Sequence, residues 1–477
     1  MNRTKIVATI GPASSNYKIL LKMAKAGMDV CRLNFSHGSH EGHLNLIQNI
    51  KKVREILDVP LTIMQDLQGP KLRVADVGDG GIRVDKNEII VLVDKKIVNY
   101  NLLVGSQNKI IPVDFNISKI IKINNRILVH DGLIELRVQK LDKELVWCRV
   151  INPGIIFSHK GVNIPGAKIT DEVLTLKDKK DLQFGLKQKV DWIALSFVRD
   201  SSDIVSLRKL IKKYDAKSKV KIMAKIERPE AVKKINKIIE KVDGIMVARG
   251  DLGVEINIER VPIIQKDIIT KCMKSGKPVV VATQMLESMV ENLRPTRAEV
   301  SDVANAVIDH TDAVMLSGET AYGKYPAEAV EMMNKIIKKA EDSPYDDVVD
   351  SKLLSKLEEI LAIPESVKNL VLNTKAKAII VATNSGYSAR MISRLRPETR
   401  IIALVNDDIV KRQLNLSWGI FSLNMPKCKT VSEIIDKSIK LVKKNKLVKK
   451  GDAVVIVTGQ PVGQKHNMNL VKLQEVE

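Results

Sequence analysis

Eight short and almost continuously apolar runs recur along the chain, each followed by a segment with helical periodicity. Apolar character without alternation is typical of parallel strands that are buried on both faces. Eight strand–helix units are what a (β/α)₈ barrel, the TIM-barrel fold, requires, so the pattern predicts this fold. The runs are Lys5–Ile10, Val30–Asn34, Leu61–Asp66, Trp192–Phe197, Lys221–Glu227, Gly244–Val247, Pro278–Thr283 and Ala313–Ser317.

More than a hundred residues separate the third run from the fourth, and the pattern changes between them. From about Leu72 to Gly166 it consists of short strands with turn sequences, which predicts an inserted all-β domain. A domain inserted after a barrel strand lies above the carboxyl-terminal face, where barrel active sites lie, so we expect a lid. The turn sequences are Gly78-Asp79-Gly80-Gly81, Asn124-Asn125, Asp131-Gly132 and Asn152-Pro153-Gly154.

The chain after the eighth unit predicts a third and smaller domain. A polar segment at 341–347 ends the barrel pattern, and four more apolar runs alternate with helical segments beyond it. These runs are Ala378–Thr383, Arg400–Val405, Gly419–Leu423 and Ala453–Thr458. The predicted organisation is α/β, with a discontinuous catalytic barrel at 1–71 and 167–342, a β lid at 72–166 and an α/β domain at 343–477.

The chain has a formal net charge of +22, and only 3% of its residues are aromatic. The lysines are spread along helical stretches such as 427–450, and aromatic side chains for base stacking are not interleaved with them. We interpret the charge as a solvated surface that can steer anionic metabolites, and we expect no nucleic-acid partner.

Four cysteines lie far apart in the sequence, without a CxxC pair: Cys31, Cys148, Cys272 and Cys428. This spacing argues against a disulfide framework or a zinc site and fits a reducing compartment. The first residues lead directly into a strand, and no stretch of about 18 apolar residues occurs. We therefore expect a soluble, cytoplasmic protein without a membrane partner.

Polar residues collect at the carboxyl-terminal ends of the predicted barrel strands, which face one mouth in this fold. Lys225 and Glu227 point to the same side because they are two residues apart on a strand. A salt bridge on the rim is one interpretation, but Asp251 at the end of the next strand favours a functional pocket. Two carboxylates suit Mg²⁺, which fills its other positions with substrate oxygens and water. Lys225 could then neutralise a phosphoryl group in transfer.

Other strand-end residues could bind anions or move protons. The glycine-bearing loop at 249–253 could offer backbone N–H groups to a carboxylate. Arg32 and Arg73 have guanidinium groups suited to phosphate, although a single arginine is more often a surface residue. The hydroxyls of Thr283 and Ser317 could form caps or turns, or could bind substrate and relay a proton.

Three histidines, His37, His40 and His43, have i, i+3 spacing. This spacing could place a metal cluster on one helix face. We favour a polar helix cap followed by histidines on the helix surface.

Eight motifs occur in a fixed order, and their joint occurrence is specific: Ala8–Ser15, Arg32–Gly38, Lys160–Asn163, Lys225–Glu227, Met246–Gly253, Ala282–Leu286, Arg294–Glu299 and Met315–Ala321. With these motifs the chain resembles the pyruvate kinase family over essentially its full length. The resemblance implies phosphoryl transfer from phosphoenolpyruvate to ADP, which gives pyruvate and ATP in the final step of glycolysis. It implies Mg²⁺, or Mn²⁺ as an alternative, held by Glu227 and Asp251. It also implies a homotetramer.

The resemblance further implies roles for individual residues. Those that would act in catalysis are Lys225, Arg32, Arg73, Thr283 and Ser317. Those that would bind the substrate are Arg32, Lys225, Gly250, Asp251 and Thr283. Those on the nucleotide side would be Asn34, His37, Arg73 and Lys160, with Lys160 delivered by the lid. A relay near Thr283 and Ser317 would protonate the enolate.

One departure from the family pattern concerns a monovalent cation. Many members bind K⁺ through residues matching Asn34, Ser36, Asp66 and Leu67, and carry Glu where this chain has Lys71. A lysine ammonium near Asp66 would take the role of that cation. We therefore hypothesise an enzyme that does not require K⁺, as in the Lys-bearing branch of the family.

A segment in the third domain resembles the family's effector phosphate loop: Thr383, Asn384, Ser385, Gly386, Tyr387 and Ser388. Hydroxyl and backbone N–H groups at a helix N-terminus suit a phosphate, so we expect a phosphorylated effector there. An ordinary helix cap after a strand is the alternative.

Two rival functions use part of the same pattern. A barrel lyase acting on phosphoenolpyruvate or pyruvate would share the carboxylates but would not need the lid, Lys160 or the third domain. A basic nucleic-acid-binding protein would bind in a salt-sensitive manner and would have no use for clustered strand-end carboxylates.

Overall fold

Eight parallel strands close into a barrel in the computed structural model, which describes residues 2–97, 108–130, 132–167, 173–346, 362–464 and 467–477. The described strands in chain order are β1 (Lys5–Ile10), β2 (Val30–Asn34), β3 (Thr62–Asp66), β4 (Leu72–Arg73), β5 (Ile82–Val84), β6 (Ile89–Asp94), β7 (Lys109–Val113), β8 (Arg126–Val129), β9 (Ile134–Asp142), β10 (Leu145–Asn152), β11 (Gly154–Ile156), β12 (Gly161–Asn163), β13 (Trp192–Leu195), β14 (Lys221–Ile226), β15 (Gly244–Ala248), β16 (Val279–Ala282), β17 (Ala313–Leu316), β18 (Ala378–Ala382), β19 (Ile401–Val405), β20 (Ile420–Asn424), β21 (Ala453–Thr458) and β22 (Leu470–Glu475).

The described α-helices are α1 (Tyr17–Ala26), α2 (His40–Leu57), α3 (Leu176–Gln188), α4 (Ser201–Tyr214), α5 (Pro229–Lys233), α6 (Ile235–Lys241), α7 (Arg249–Glu255), α8 (Val261–Lys274), α9 (Arg297–Ile308), α10 (Gly318–Ala321), α11 (Pro326–Glu341), α12 (Ala362–Thr374), α13 (Tyr387–Ser393), α14 (Asp408–Leu414) and α15 (Val431–Lys444). Within these parts of the chain, no helix is long and apolar enough to cross a membrane.

The barrel order is β1-β17-β16-β15-β14-β13-β3-β2, so the predicted (β/α)₈ fold is confirmed. All eight predicted runs form its strands, with ends that differ by one or two residues. The apolar side chains outside the barrel pack against the helices, and those inside it form a separate cluster that includes Met64, Met223, Met246 and Met315. Methionine fills irregular space well, which suits a core with few aromatic residues.

Four aspartates tie neighbouring strands together at the amino-terminal end of the barrel. Each stands directly before a strand and accepts a hydrogen bond from a backbone N–H of the adjacent strand. The pairs are Asp29 with Ile6 (2.9 Å), Asp191 with Ile63 (2.9 Å), Asp243 with Ile222 (3.0 Å) and Asp312 with Val279 (3.1 Å). The strand register at this end is therefore fixed by side chains as well as by the ladder.

The segment after β3 forms β-sheets, as the turn-rich sequence predicts. Seven strands pair in the order β4-β12-β8-β9-β10-β6-β7, and β11 pairs with β5. The sheet has an apolar core of its own. Asn124 has a positive φ of 68°, in agreement with the predicted turn there, whereas Asp131 of another predicted turn lies outside the described residues.

The third domain contains a five-stranded sheet in the order β20-β19-β18-β21-β22. Its first four strands in sequence were predicted. The antiparallel edge strand β22 was missed, because its polar and charged residues leave half of it exposed and hide the apolar pattern.

The third domain also contributes to the barrel core. Leu416, which follows α14, is fully buried in the cluster inside the barrel, next to residues at the first positions of strands such as Val30 and Ala313. Two residues later, the ring of Trp418 has the guanidinium groups of Arg3 and Arg396 at 5.3 and 5.0 Å from its centroid. Cation–π contacts of this kind add to the apolar packing between the two domains.

Candidate active site

A buried network of four charges lies at the carboxyl-terminal mouth of the barrel. Nζ of Lys225 lies 2.9 Å from Oε1 of Glu227 and 3.3 Å from Oδ1 of Asp66. Asp66 also accepts a hydrogen bond of 2.7 Å from Nε of Arg32. The sequence predicted that Lys225 and Glu227 share a face, and their separation agrees with this.

The charges shift one another's pKa values. Burial opposes the charged form of Lys225, but Asp66 and Glu227 outweigh it and raise the pKa of the ammonium group. Burial would raise the pKa of Asp66, but Lys225 and Arg32 outweigh it and lower that pKa. Lys225 and Asp66 are therefore both charged at neutral pH.

Ser196, immediately after β13, completes the network. Lys225 donates a hydrogen bond of 2.8 Å to Oγ of Ser196, which in turn lies 2.7 Å from the carbonyl oxygen of Leu67. Ser196 was not predicted as a site residue, although it lies at a strand end like the other polar residues. Leu67 itself points into the core between barrel and helices, so it presents only its backbone carbonyl to this region.

Glu227 and Asp251 have the properties of ligands for a hard divalent cation. Burial raises the pKa of Glu227, with partial compensation from Lys225, and the charge of Asp251 raises it further. Oε1 of Glu227 is buried and lies 2.9 Å from Nζ of Lys225, and its Oε2 accepts a hydrogen bond of 2.7 Å from the N–H of Phe197. Each carboxylate oxygen can accept more than one contact, and an added cation would reduce the repulsion between the two carboxylates, so the residues fit Mg²⁺. Among the described residues no cluster of three or more His, Cys, Asp or Glu side chains could hold a metal, so water and substrate would supply the remaining ligands.

Lys71 lies beside Asp251 rather than beside Asp66. Its Nζ is 3.6 Å from Oδ1 of Asp251, whereas we expected it near Asp66. The physical reason is that Asp66 is already paired with Arg32 and Lys225 and is closed to solvent. Two other residues of the predicted monovalent site, Asn34 and Ser36, contact each other through a hydrogen bond of 3.1 Å from the Ser36 N–H to Oδ1 of Asn34.

Gly250 and Thr283 meet where β15 and β16 end. The N–H of Gly250 donates a hydrogen bond of 2.7 Å to Oγ1 of Thr283. Thr283 and Gln284 both have positive φ, at 71° and 54°. Backbone strain of this kind is concentrated at functional sites, and here it turns the Thr283 hydroxyl towards the first turn of α7.

Ser317 follows β17 and has an unusual environment. Its Oγ is buried and has no hydrogen-bond partner among the residues that the structure describes. Its N–H donates a hydrogen bond of 2.6 Å to Oε2 of Glu319, and Oε1 of the same residue accepts one of 3.0 Å from the N–H of Leu286. A buried hydroxyl left unpaired in this way needs an explanation, such as a bound water or substrate. Glu319, which fixes the backbone here, was not singled out from the sequence.

The residues predicted on the nucleotide side come from the barrel and from the lid. Arg73 in β4 pairs with Gly161 in β12, so Lys160 lies next to it in the ladder. Nη1 of Arg73 donates a hydrogen bond of 2.8 Å to the carbonyl oxygen of His159. His37 has an exposed side chain, but partial burial and then the positive charge of Arg73 lower its pKa.

The other two histidines have structural contacts. Ser39 caps α2, as predicted, and His40 contacts Oδ1 of Asp181 at 2.7 Å. His43 was expected on the helix surface, but it is buried and its ring stacks on Phe35 with centroids 3.9 Å apart. The sequence did offer a signal for this burial, because His43 has helical spacing to the buried Ile47 and Ile50 of the same helix face, whereas the stacking on Phe35 depends on how the preceding loop folds back.

The segment 383–388 in the third domain lies between β18 and α13 and lines a cavity of about 900 Å³. The N–H of Gly386 donates a hydrogen bond of 3.1 Å to Oγ1 of Thr383. The cavity is lined by the hydroxyl-bearing residues Thr383, Ser385, Tyr387 and Ser388, by the amide residue Asn384, and by four lysines: Lys219, Lys221, Lys427 and Lys429.

Comparison with known proteins identifies the family. The family model described as "Pyruvate kinase, barrel domain" matches residues 1–330, and the one described as "Pyruvate kinase, alpha/beta domain" matches residues 361–474. The chain belongs to the pyruvate kinase family. This family consists of phosphotransferases, so an enzyme is expected at the barrel mouth, in agreement with the motifs.

Curated relatives with the name pyruvate kinase match almost the whole chain. The protein from Geobacillus stearothermophilus is 42% identical over 478 residues, which cover 99% of this chain and 80% of the relative. The protein from Staphylococcus haemolyticus is 43% identical over 480 residues, covering 100% of this chain and 81% of the relative. One from Staphylococcus aureus is 42% identical over 481 residues, with the same coverage.

The charge network predicts how stability depends on pH. Asp66→Asn leaves Arg32 and Lys225 facing a neutral amide, which should cost about 3–5 kcal/mol of stability at neutral pH. Because folding lowers the pKa of Asp66, its contribution is complete above the unfolded value of 3.8 and is lost as the pH falls through the lower folded value. The deficit in melting temperature relative to the parent should therefore be full at pH 7 and 5 and shrink at pH below about 4.

Calorimetry over this pH range is the measurement. The control is Asp142→Asn, which removes a carboxylate from an exposed ion pair with Lys140 in the lid and should change little. A deficit for Asp66→Asn that is the same at all these pH values would contradict the prediction.

Proposed function

We propose that this member of the pyruvate kinase family transfers the phosphoryl group of phosphoenolpyruvate to ADP, giving pyruvate and ATP. The observation that carries the proposal is the contact of 2.9 Å between Lys225 and Glu227, beside Asp251, at the carboxyl-terminal mouth of the barrel. This arrangement supports a reaction in which negative charge moves between oxygens, because it combines a fixed cation with two carboxylates for a metal.

Glu227 and Asp251 would hold Mg²⁺, or Mn²⁺ in its place. The metal, when bound, stabilises negative charge on the phosphoryl oxygens. Lys225 supplies a second positive charge that is kept protonated by its neighbours. Arg32 is braced by hydrogen bonds of 2.7 Å to Asp66 and 2.9 Å to Oγ1 of Thr9, which supports a role in binding the phosphate in one orientation.

Substrate orientation and protonation would use the ends of β15, β16 and β17. The Gly250 N–H and the Thr283 hydroxyl, now bonded to each other, would bind the substrate carboxylate by exchanging this bond for bonds to the ligand. The buried hydroxyl of Ser317 supports a water-assisted relay with Thr283 that delivers a proton to the enolate carbon. Asn34, His37, Arg73 and Lys160 would bind the nucleotide, the last two from the lid.

The proposed activity predicts a loss in Lys225→Met. The variant keeps the length of the side chain but removes the charge, and kcat should fall by about 10²- to 10³-fold. The measurement is a lactate-dehydrogenase-coupled assay with and without ADP and Mg²⁺. Lys209→Met, a matched change at an exposed position of α4, should keep full activity. Formation of pyruvate without ADP would support the lyase interpretation instead.

We also propose that K⁺ is not required. The support is Lys71, whose ammonium group supplies a fixed positive charge 3.6 Å from Asp251 at the mouth. A bound monovalent cation would add a similar charge to the same region, so the lysine makes it unnecessary.

This proposal predicts near-full activity in tetramethylammonium buffer, without K⁺. Lys71→Gln should lower activity and make it respond to K⁺, since the fixed charge is lost. The assay compares K⁺ with tetramethylammonium at equal ionic strength, which separates a specific site from screening. Strong activation of the parent by K⁺ would refute the proposal.

We further propose that the cavity beside 383–388 binds a phosphorylated effector. Four lysines and several hydroxyl groups support an anionic, oxygen-rich ligand. Lys221 supports a link to the active site, because it starts β14, the strand whose other end leads to Lys225 and Glu227.

The expected result is a shift in the half-saturation for phosphoenolpyruvate with at least one of fructose 1,6-bisphosphate, ribose 5-phosphate and AMP. Lys427→Ala should reduce that shift without changing the rate in the absence of effector, because the residue lies in the third domain. If no compound shifts the half-saturation, the segment is an ordinary helix cap.

Three further expectations belong to this proposal. The family supports a homotetramer. The four cysteines, all unpaired, support a reducing compartment such as the cytoplasm. The separate apolar cores support the division into a barrel (1–71 and 167–342), a lid (72–166) and a third domain (343–477).

A further inference from the structure

The lid strand β12 contacts the barrel helix α7 through a buried polar pair. Nδ2 of Asn163 donates a hydrogen bond of 3.2 Å to Oε1 of Glu255. Asn163 is 8% exposed and Glu255 is 9% exposed, so water is largely excluded from the contact. Asn163 comes from the lid and Glu255 from the helix whose first turn carries Gly250 and Asp251, so the pair joins two parts of the proposed site.

A second, indirect link between β12 and α7 runs from Gly161 through Lys71. A Cβ atom on Gly161 would lie 3.1 Å from Cε of Lys71, the residue whose ammonium group pairs with Asp251. A side chain at this position would have to displace the end of the Lys71 side chain, so glycine favours the close approach. Gly161 and Asn163 are two residues apart on a strand and share a face, while Asp251 and Glu255 are four apart on a helix and share a face. The lid strand is therefore linked to α7 directly through Asn163 and Glu255, and one helical turn away through Lys71, which lies between Gly161 and Asp251.

Glu255 depends on the lid for its hydrogen bond. Within the described part of the chain, its Oε2 has no partner and its Oε1 is bonded by Asn163. Burial raises the pKa of Glu255, and the nearby charge of Arg228 opposes this effect. When the lid lies against α7, the Glu255 carboxylate loses water and gains one charge-assisted hydrogen bond. The cost of desolvation and the gain from the hydrogen bond nearly cancel. Such a contact can form and break in each catalytic cycle.

The strand held by this pair carries two of the proposed nucleotide contacts. Lys160 precedes Gly161 directly, and Arg73 pairs with Gly161 in the β4–β12 ladder. A small tilt of β12 away from α7 would move both positive side chains together. The substrate-side residues Lys225 and Thr283 belong to barrel strands or their ends and would stay in place.

We propose that Asn163 and Glu255 are positioning residues that hold β12 against α7 and so place Lys160 and Arg73 for the nucleotide. This inference rests on the proposed function, since it assigns the nucleotide to the lid side. The two substrates should respond differently. Loss of the Asn163–Glu255 pair should weaken the binding of ADP and leave the binding of phosphoenolpyruvate almost unchanged.

The test exchanges the donor and the acceptor. Asn163→Asp places a second carboxylate against Glu255 and should raise the KM for ADP about tenfold, which corresponds to loss of one hydrogen bond to a charged group. Glu255→Gln alone keeps an acceptor oxygen and should have a small effect. The double variant, N163D with E255Q, restores the bond with its direction reversed and should return the KM for ADP close to the parent value. Asn152→Asp, the same change at an exposed lid position, is the control.

A second measurement does not depend on catalysis. Hydrogen–deuterium exchange at the backbone amides of β12 should be faster in N163D than in the parent and slow again in the double variant. The inference would be overturned if N163D left the KM for ADP unchanged or raised the KM for phosphoenolpyruvate equally. It would also be overturned if the double variant were no better than N163D, or if hydrogen–deuterium exchange in β12 did not change. Failure of the proposed function would look different, because the parent itself would form no pyruvate from phosphoenolpyruvate and ADP while the exchange result would still report on the pair.

Discussion

The balance of charge around Asp66 is the constraint on which the mouth of the barrel depends. Asp66 is almost completely buried, and a carboxylate in such a place is costly unless it is paired and hydrogen-bonded. Arg32 and Lys225 approach it from neighbouring positions of the barrel, and Lys225 also contacts Glu227. Two cations and two carboxylates thus compensate one another. Arg32, Asp66 and Lys225 can be buried as charges near the ends of β2, β3 and β14 only because these strand ends lie close together.

This arrangement separates two tasks. Asp66 has no free oxygen for a ligand, so it orients Arg32 and Lys225 rather than contacting a substrate. Glu227 and Asp251 retain acceptor capacity and remain available for a cation. Lys71 lies between the barrel and the lid, where it adds positive charge beside Asp251 and fills the space left by a glycine in β12. The segment that joins the barrel to the lid therefore contributes to the electrostatics of the mouth.

Much of this could be predicted from sequence, for a physical reason. Barrel strands such as β14 are local, continuous apolar runs, and the residue that ends each run is carried to a common mouth by the topology alone. Lys225, Glu227 and Asp251 were found in this way. Contacts that depend on non-local packing could not be found. Lys71 was placed next to the wrong carboxylate because the sequence does not reveal that Asp66 is already paired. The stacking of His43 on Phe35 is likewise non-local, although the burial of His43 agrees with its helical spacing to Ile47.

Leu416 shows that the apolar core inside the barrel is not formed by the barrel segments alone. The cluster inside the barrel is completed by a side chain that belongs to the third domain by sequence, and it enters at the amino-terminal end, opposite the active site. Asp191 of the barrel is likewise paired with Arg412 at 2.7 Å across this joint. The amino-terminal end of the barrel interior is thus closed by a residue from another part of the chain. Motion of the third domain relative to the barrel would have to disturb the packing of the barrel interior itself, so the joint is suited to transmit strain rather than to act as a free hinge.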